Sequence, residues 1–193
     1  MNTDVIVSHI NSYVSLNEEE VRALSAALIS KTIKQGELIV ESGEPARYMI
    51  FMNTGYVMTY YTDKEGFDHV IQFASTGWWS GDLYSLSENV PTIYSTRALS
   101  AGEVLLFPKA AQDQLLDKYP KFERYFRILF HNALMRLQFR IIENYSATAE
   151  KRYLSFRERF PGMEQHVSQK HIASYLGITP EFLSKIRKKL QQK

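Results

Sequence analysis

The chain has 193 residues, 45% of them hydrophobic, enough for one full domain with a smaller one attached and too apolar for disorder. Its 23 Lys/Arg and 21 Asp/Glu leave a net charge of +2, and the lack of cysteine excludes disulfides, thiolate zinc ribbons and thiolate-held iron–sulfur clusters. The first twenty residues lack a basic leader and a signal-length apolar run, and no stretch reaches the ~20 apolar residues of a membrane span, so a soluble cytoplasmic protein is expected.

Residues 4–30 are predicted helical. Ile6, Ile10 and Val14 form one short stripe, and Asn17 caps a second helix that ends near Ser30, with Glu18, Glu19 and Glu20 suiting the positive end of the helix dipole. From Lys31 the apolar period becomes two, and glycines arrive regularly at Gly36, Gly43, Gly55, Gly66, Gly77, Gly81 and Gly102. Short β-rich runs at 37–42, 48–54, 56–62, 69–74 and 103–108 lie between turn signals such as Ser42-Gly43-Glu44-Pro45 and Asp63-Lys64-Glu65-Gly66. The expected result is an antiparallel jelly roll over about residues 31–108.

After Pro108 the glycines stop until Gly162. Residues 109–119 read as a short helix ended before Pro120, and residues 121–145 as one long helix with two apolar seams. Phe130, Leu134, Leu137 and Ile141 follow the 4-3-4 spacing of a coiled coil, while Phe122, Phe126, Leu129 and Ala133 form the other. One seam can lie on the jelly roll. The other then needs a partner, and the same helix of a second chain is the simplest, giving a homodimer; burial of both seams within one chain is the alternative. A further helix over about 148–160 carries Tyr153, Leu154 and Phe156, with Lys151, Arg152, Arg157 and Arg159 alternating with Glu150 and Glu158 as a solvated face.

Residues 167–190 read as a complete helix-turn-helix. Counted from Gln169, small Ala173 falls fifth and Gly177 ninth, with Ile172, Leu176, Ile178, Leu183 and Ile186 where two crossed helices must touch. Helices joined by a short turn cross steeply only if the crossing point is small, and the turn needs a residue tolerant of positive φ. Thr179 is a good N-cap and Pro180 suits the first helical position. Glu181, Ser184, Lys185 and Lys188 then recur on a face opposite the stripe of Leu183, Ile186 and Leu190. A polar, basic helix face of this kind is what a DNA major groove accepts, and an ordinary surface hairpin is the plainer alternative. Charge favours the first. Residues 167–193 hold six Lys/Arg and one acidic residue, net +5, leaving a net of −3 on the rest, so a basic tail sits on a slightly acidic body.

This order of jelly roll, long helix and helix-turn-helix resembles the Crp/Fnr family of bacterial transcription regulators over nearly the whole chain. The marks are Gly36, then Gly43-Glu44-Pro45-Ala46, Tyr48-Met49-Ile50 and Gly55, then Gly81-Asp82-Leu83, Arg97-Ala98 and Gly102-Glu103-Val104. The resemblance implies an α+β fold: a cyclic-nucleotide-binding-like jelly-roll domain at 1–120, a dimerisation helix at 121–146 and a DNA-binding domain at 147–193. It also implies double-stranded DNA with a pseudo-palindromic operator, RNA polymerase and a small-molecule effector as partners.

Two departures qualify it. Family members that bind cyclic AMP carry Gly-Glu-Leu and, about ten residues on, an Arg-Ser/Thr pair that holds the phosphate. Here those positions read Gly81-Asp82-Leu83 and Thr92-Ile93, so the corresponding effector pocket lacks the cation that a buried phosphate needs, and Arg97 lies out of register. Cyclic AMP is therefore not expected to bind, and no cofactor or metal is. The second departure is that only Gln191, Gln192 and Lys193 follow the recognition helix, so no β-hairpin wing is expected.

Within the C-terminal unit, Ser168 and Gln169 at the start of the first helix should touch DNA backbone, Thr179 and Pro180 should set the second helix, Glu181, Ser184 and Lys185 should face bases, and Lys188 and Lys189 phosphates. The competing classes are a sensor whose C-terminal unit no longer binds DNA and a cupin-type enzyme. A cupin metal site needs clustered histidines, and the barrel holds only His69, with His9, His131, His166 and His171 outside it. The aromatics Phe73, Trp78, Trp79, Tyr84 and Tyr94 fit core and lid packing, with an apolar ligand pocket as the alternative.

Overall fold

The computed structural model describes residues 2–192. Two short helices open it, α1 (Asp4–Asn11) and α2 (Glu18–Ala27). Asn17 and Glu20 cap α2 reciprocally: Asn17 Oδ1 accepts from the Glu20 amide at 2.9 Å, and Glu20 Oε2 accepts from the Asn17 amide at 2.7 Å. The helix stops at Ala27 rather than near Ser30, because β1 (Ile29–Ile33) begins at once and pairs with the last strand, Ile29 opposite Leu106 and Ile33 opposite Gly102. A helix boundary decided by a partner 70 residues away has no local signal.

The remaining strands are β2 (Leu38–Val40), β3 (Tyr48–Thr54), β4 (Tyr56–Thr62), β5 (Asp68–Ser75), β6 (Trp79–Ser80), β7 (Ser95–Ala98) and β8 (Gly102–Pro108), with α3 (Leu83–Glu88) between β6 and β7. They form two antiparallel sheets, ordered β1-β8-β3-β6 and β2-β7-β4-β5. Ile33, Ile50, Met52, Val57, Ala98, Val104 and Leu106 fill the space between the sheets. At the β3–β4 corner the chains approach so closely that a Cβ on Gly102 would lie 2.3 Å from the Thr54 carbonyl oxygen, so only glycine fits.

Both sheets are covered on their outer faces as well. Met49, Phe51, Leu105 and Phe107 pack against α1, α2, α4 (Lys109–Lys118) and the start of α5 (Pro120–Ser146). At the centre of that layer the buried Tyr125 hydroxyl accepts from the Trp79 indole N–H at 2.6 Å and lies 2.9 Å from His9 Nδ1. The hydroxyl thereby links the indole of β6 to the imidazole of α1. Met58, Tyr60, Val70 and Phe73 on the second sheet pack against the C-terminal helices α6 (Ala149–Arg159), α7 (Gln169–Leu176) and α8 (Pro180–Gln191).

α5 explains why two seams were visible. Phe122, Tyr125, Phe126 and Leu129 are buried, but beyond Leu129 the helix runs past the roll and even Ala133 is exposed. The second seam is therefore buried at its first three residues and open at Ala133. The first is open throughout: Phe130, Leu134, Leu137 and Ile141 are 37%, 55%, 47% and 45% exposed, with Phe139 and Ile142 beside them. On α6, Arg152 departs from the expected solvated face. Its guanidinium donates to the carbonyls of Ala147 (2.8 Å) and Leu176 (3.2 Å), supplying α7 with a partner for one of its free C-terminal carbonyls.

Candidate functional site

Local chemistry builds the helix-turn-helix as the spacing requires. Ser168 Oγ accepts from the His171 amide at 3.3 Å and starts α7, and Gly177, at φ +65°, closes it with amide donation to Ser174 O. Thr179 Oγ1 accepts from the Phe182 amide at 3.2 Å, and Pro180 takes the first position of α8. Ile172, Ala173, Leu176, Leu183 and Ile186 are buried between the helices, with Tyr153 and Phe156 of α6 as the third wall.

The outer face of α8 is exposed at Glu181, Ser184, Lys185, Lys188 and Lys189, and Ser168 and Gln169 are exposed at the start of α7. These residues are not equivalent. Lys189 Nζ lies 2.6 Å from Glu150 Oε2 and Arg187 Nε 3.9 Å from Glu164 Oε1, whereas Lys185 and Lys188 make no ion pair among the described residues. Glu181 stays ionised: an amide hydrogen bond in the first turn and the Thr179 hydroxyl hold its carboxyl below the usual carboxylate range. Phe182 is 48% exposed beside Glu181, and sequence reasoning passed over it. Its signal was there, since it falls off the stripe of Leu183, Ile186 and Leu190, and an apolar side chain at that place can meet a thymine methyl.

The helix-turn-helix does not stand free. Ser174 Oγ accepts from the Val70 amide at 2.9 Å and donates to the Asp68 carbonyl at 2.8 Å, so α7 closes the open edge of β5. Tyr175 packs among Phe73, Phe156 and Phe160, and His166 stacks on Tyr56 with ring centroids 4.7 Å apart. His171 Nε2 lies 3.8 Å from Asp68 Oδ2, yet burial outweighs that carboxylate, and with Lys170 and Arg97 nearby the imidazole is held below its ordinary range. α8 lies on the far side of α7 from this contact and keeps its polar face open.

The five residues of the cassette position do not form one pocket. Asp82 Oδ1 accepts from the Ser85 amide at 3.1 Å and caps α3, while Oδ2 accepts from the Thr92 hydroxyl at 2.7 Å. Thr92 is buried by this bond, and Ile93 is 58% exposed on the surface. Gly81 and Leu83 instead line a separate cavity of about 470 Å3 together with Phe73, Trp78 and Trp79. Arg97 lies on the outer side of its sheet, its guanidinium 5.3 Å from the Tyr60 ring centroid and its Nε buried without a hydrogen-bond partner. A cyclic phosphate at this place would meet the Asp82 carboxylate. Among the described residues no group of three His, Asp or Glu is placed to hold a metal ion.

With this geometry in hand, residues 30–119 match the cyclic nucleotide-binding domain family, which defines the class of the jelly roll. Over nearly its whole length the chain is similar to bacterial regulatory proteins. It is 23% identical to the anaerobic regulatory protein of Pasteurella multocida, covering 98% of this chain and 73% of that one. The fold is shared with FixK2 from Bradyrhizobium japonicum (TM-score 0.72, 20% identity, 86% and 85% of the two chains). The c-di-GMP responsive global regulator CLP of Xanthomonas campestris shares it too (0.72, 14%, 91% and 92%).

The two depressed histidines set a pH dependence. His9 is held low by burial and then by Arg136, and His171 by burial. Between their folded values and the free value of about 6.5 the unfolded chain binds more protons than the folded one, so stability rises with pH there. It should be full above about pH 7 and fall as the pH drops toward 5, while the lowered carboxylates of Glu20 and Glu103 act only below about pH 4.5. Urea midpoints measured from pH 5 to 8 should show this slope, and the double variant His9→Gln, His171→Gln should flatten it.

Proposed function

We propose that this protein is a sequence-specific DNA-binding transcription regulator that works as a homodimer in the cytoplasm and does not respond to cyclic AMP. One observation carries the reading. A fully cored helix-turn-helix presents Glu181, Ser184, Lys185 and Lys188 on the open face of α8, and neither lysine makes an ion pair among the described residues. A solvated face without a partner would have no use for two unneutralised lysines flanking a carboxylate on an otherwise acidic body. The curated relative in Pasteurella multocida is likewise named as a regulatory protein, not an enzyme.

The labour divides along the helix. Glu181 in the first turn can accept from a cytosine N4 amino group, and Lys185, one turn on, can donate to guanine O6 and N7. Ser168, Gln169 and Lys188 fit phosphates, with the amides of the α7 N-terminus assisting. Lys189 can join them by exchanging Glu150 for a phosphate, because an exposed ion pair is worth little. Two such helices related by a two-fold axis call for a pseudo-palindrome with half-sites about one helical turn apart. No helix among the described residues is long and apolar enough to cross a membrane.

Selection of binding sites from random DNA tests the reading. Glu181→Ala or Lys185→Ala should cost about 1–3 kcal/mol per half-site and relax base preference there. Lys188→Ala should weaken all sequences alike and lower the salt slope by roughly one unit per subunit. The reading is wrong if the wild type enriches no sequence.

The open seam of α5 supports the dimer, since four large apolar side chains at coiled-coil spacing otherwise face water. Sedimentation at micromolar concentration should show a dimer for the wild type and a monomer for Leu137→Arg, which places a charge in the interface. Calorimetry with cyclic AMP and cyclic GMP should show no low-micromolar binding, because the Asp82 carboxylate occupies the ground a phosphate would need.

A further inference from the structure

The cavity of about 470 Å3 lies where three parts of the molecule meet: the β5–β6 side of the roll, the middle of α5, and the packed ends of α6 and α7. Its volume falls in the range of small-molecule sites. One wall is aromatic. Trp78 and Phe160 have ring centroids 5.3 Å apart, and Phe160 meets Tyr175 edge-on at 5.9 Å. Three guanidiniums line the same space. Arg136 sits with its guanidinium carbon 5.9 Å from the Trp78 centroid, and that of Arg140 lies 5.2 Å from the Tyr175 centroid while its Nη1 donates to the Ile71 carbonyl at 2.6 Å. Arg159 is the third.

No carboxylate lines the cavity, and none of the three arginines makes an ion pair among the described residues. Glu143, in the adjoining crevice with Arg140 and Arg159, accepts from the Ser155 hydroxyl instead. Three like charges beside a concave aromatic surface repel one another, and an anion with a flat apolar body would relieve that while burying the rings. We propose that this cavity is a binding site for a small aromatic or apolar anion: a ring system or short apolar body bearing one carboxylate, sulfonate or phosphate. It shares only Gly81 and Leu83 with the cassette position, so it is a site distinct from the one closed by Asp82 and Thr92.

The site also has a consequence for the helix-turn-helix. Tyr175 belongs to α7, and Phe160 closes α6, so an occupant touches the supports of α8 and the roll at once. Phe130 and Leu137 of the open α5 seam line the same cavity. As an effector site of a DNA-binding regulator the proposal rests on the function proposed above; as a binding site it does not.

The test uses the full chain and two fluorescent probes of similar shape, the anionic 8-anilinonaphthalene-1-sulfonate and the uncharged N-phenyl-1-naphthylamine. One sulfonate should bind per chain, about ten-fold or more tighter than the neutral probe, and the double variant Arg136→Gln, Arg159→Gln should lose about that factor for the sulfonate while keeping the neutral probe. Lys185→Ala with Lys188→Ala should leave both unchanged. Near-ultraviolet circular dichroism confirms that each variant keeps its packed aromatics. Equal binding of the two probes, an unchanged arginine variant or an equal loss in the lysine variant would each overturn the proposal. Operator titration of the same samples separates the two readings. DNA binding without a sulfonate site removes this proposal alone, and a sulfonate site in a protein that binds no DNA removes the regulator and leaves the site.

Discussion

The structure depends on how the open edge of β5 is closed. A strand at the edge of a sheet presents unpaired amides and carbonyls, which must meet water, another strand or a side chain. Here the Asp68 carbonyl and Val70 amide both meet the single hydroxyl of Ser174, which donates to one and accepts from the other. That contact fixes α7 against the roll. Met58, Tyr60, Val70 and Phe73 are then covered by the same helices that support α8, and one apolar layer serves both the outer face of a sheet and the core of the helix-turn-helix. The orientation of α8 is thereby tied to the jelly roll through α7.

Electrostatics divides along the same line. The roll and its N-terminal helices carry the acidic excess, and several of their carboxylates are paired, Glu37 with Lys31 nearby in sequence and Glu20 with Lys121 of α5. Two groups of cations without an ion pair among the described residues stand out. One is the open face of α8, where Lys185 and Lys188 face solvent. The other is the junction cavity, which Arg136, Arg140 and Arg159 line, the first two over aromatic rings. The first is convex and suits a polyanion; the second is concave and suits a small anion. The two differ in what a guanidinium and an ammonium do best, since the planar group stacks on rings and the compact one keeps its water until a phosphate replaces it.

Much of this could be read from the order of residues alone. The helix-turn-helix was legible because its signals are local: a small residue at the crossing, glycine in the left-handed turn, threonine and proline at the start of α8. Strands β3, β4, β5 and β8 were legible from β-rich runs between glycine turns, and the long helix from its two seams. β3 shows where that signal weakens. Both of its faces are buried, so Met49 to Met52 form an unbroken apolar run with no alternation to count. β6 and β7 escaped notice because two or four residues cannot show a period.

Sequence by itself determined the elements whose causes lie within a few residues and the split between acidic body and basic tail. Tertiary structure alone decided what depends on distant partners. β1 begins at Ile29 because β8 is there to pair with it, and Asp82 bonds to Thr92 because the turn between α3 and β7 brings a hydroxyl to its carboxylate. Arg152 leaves solvent for the end of α7, Ser174 finds the edge of β5 more than 100 residues earlier, and three arginines from two helices come to line one cavity with Trp78 and Tyr175. Spacing along a chain constrains neighbours within a turn or two of helix. Charges and hydroxyls on separate elements take their partners from how those elements pack, and that is settled by burying apolar area across the whole chain.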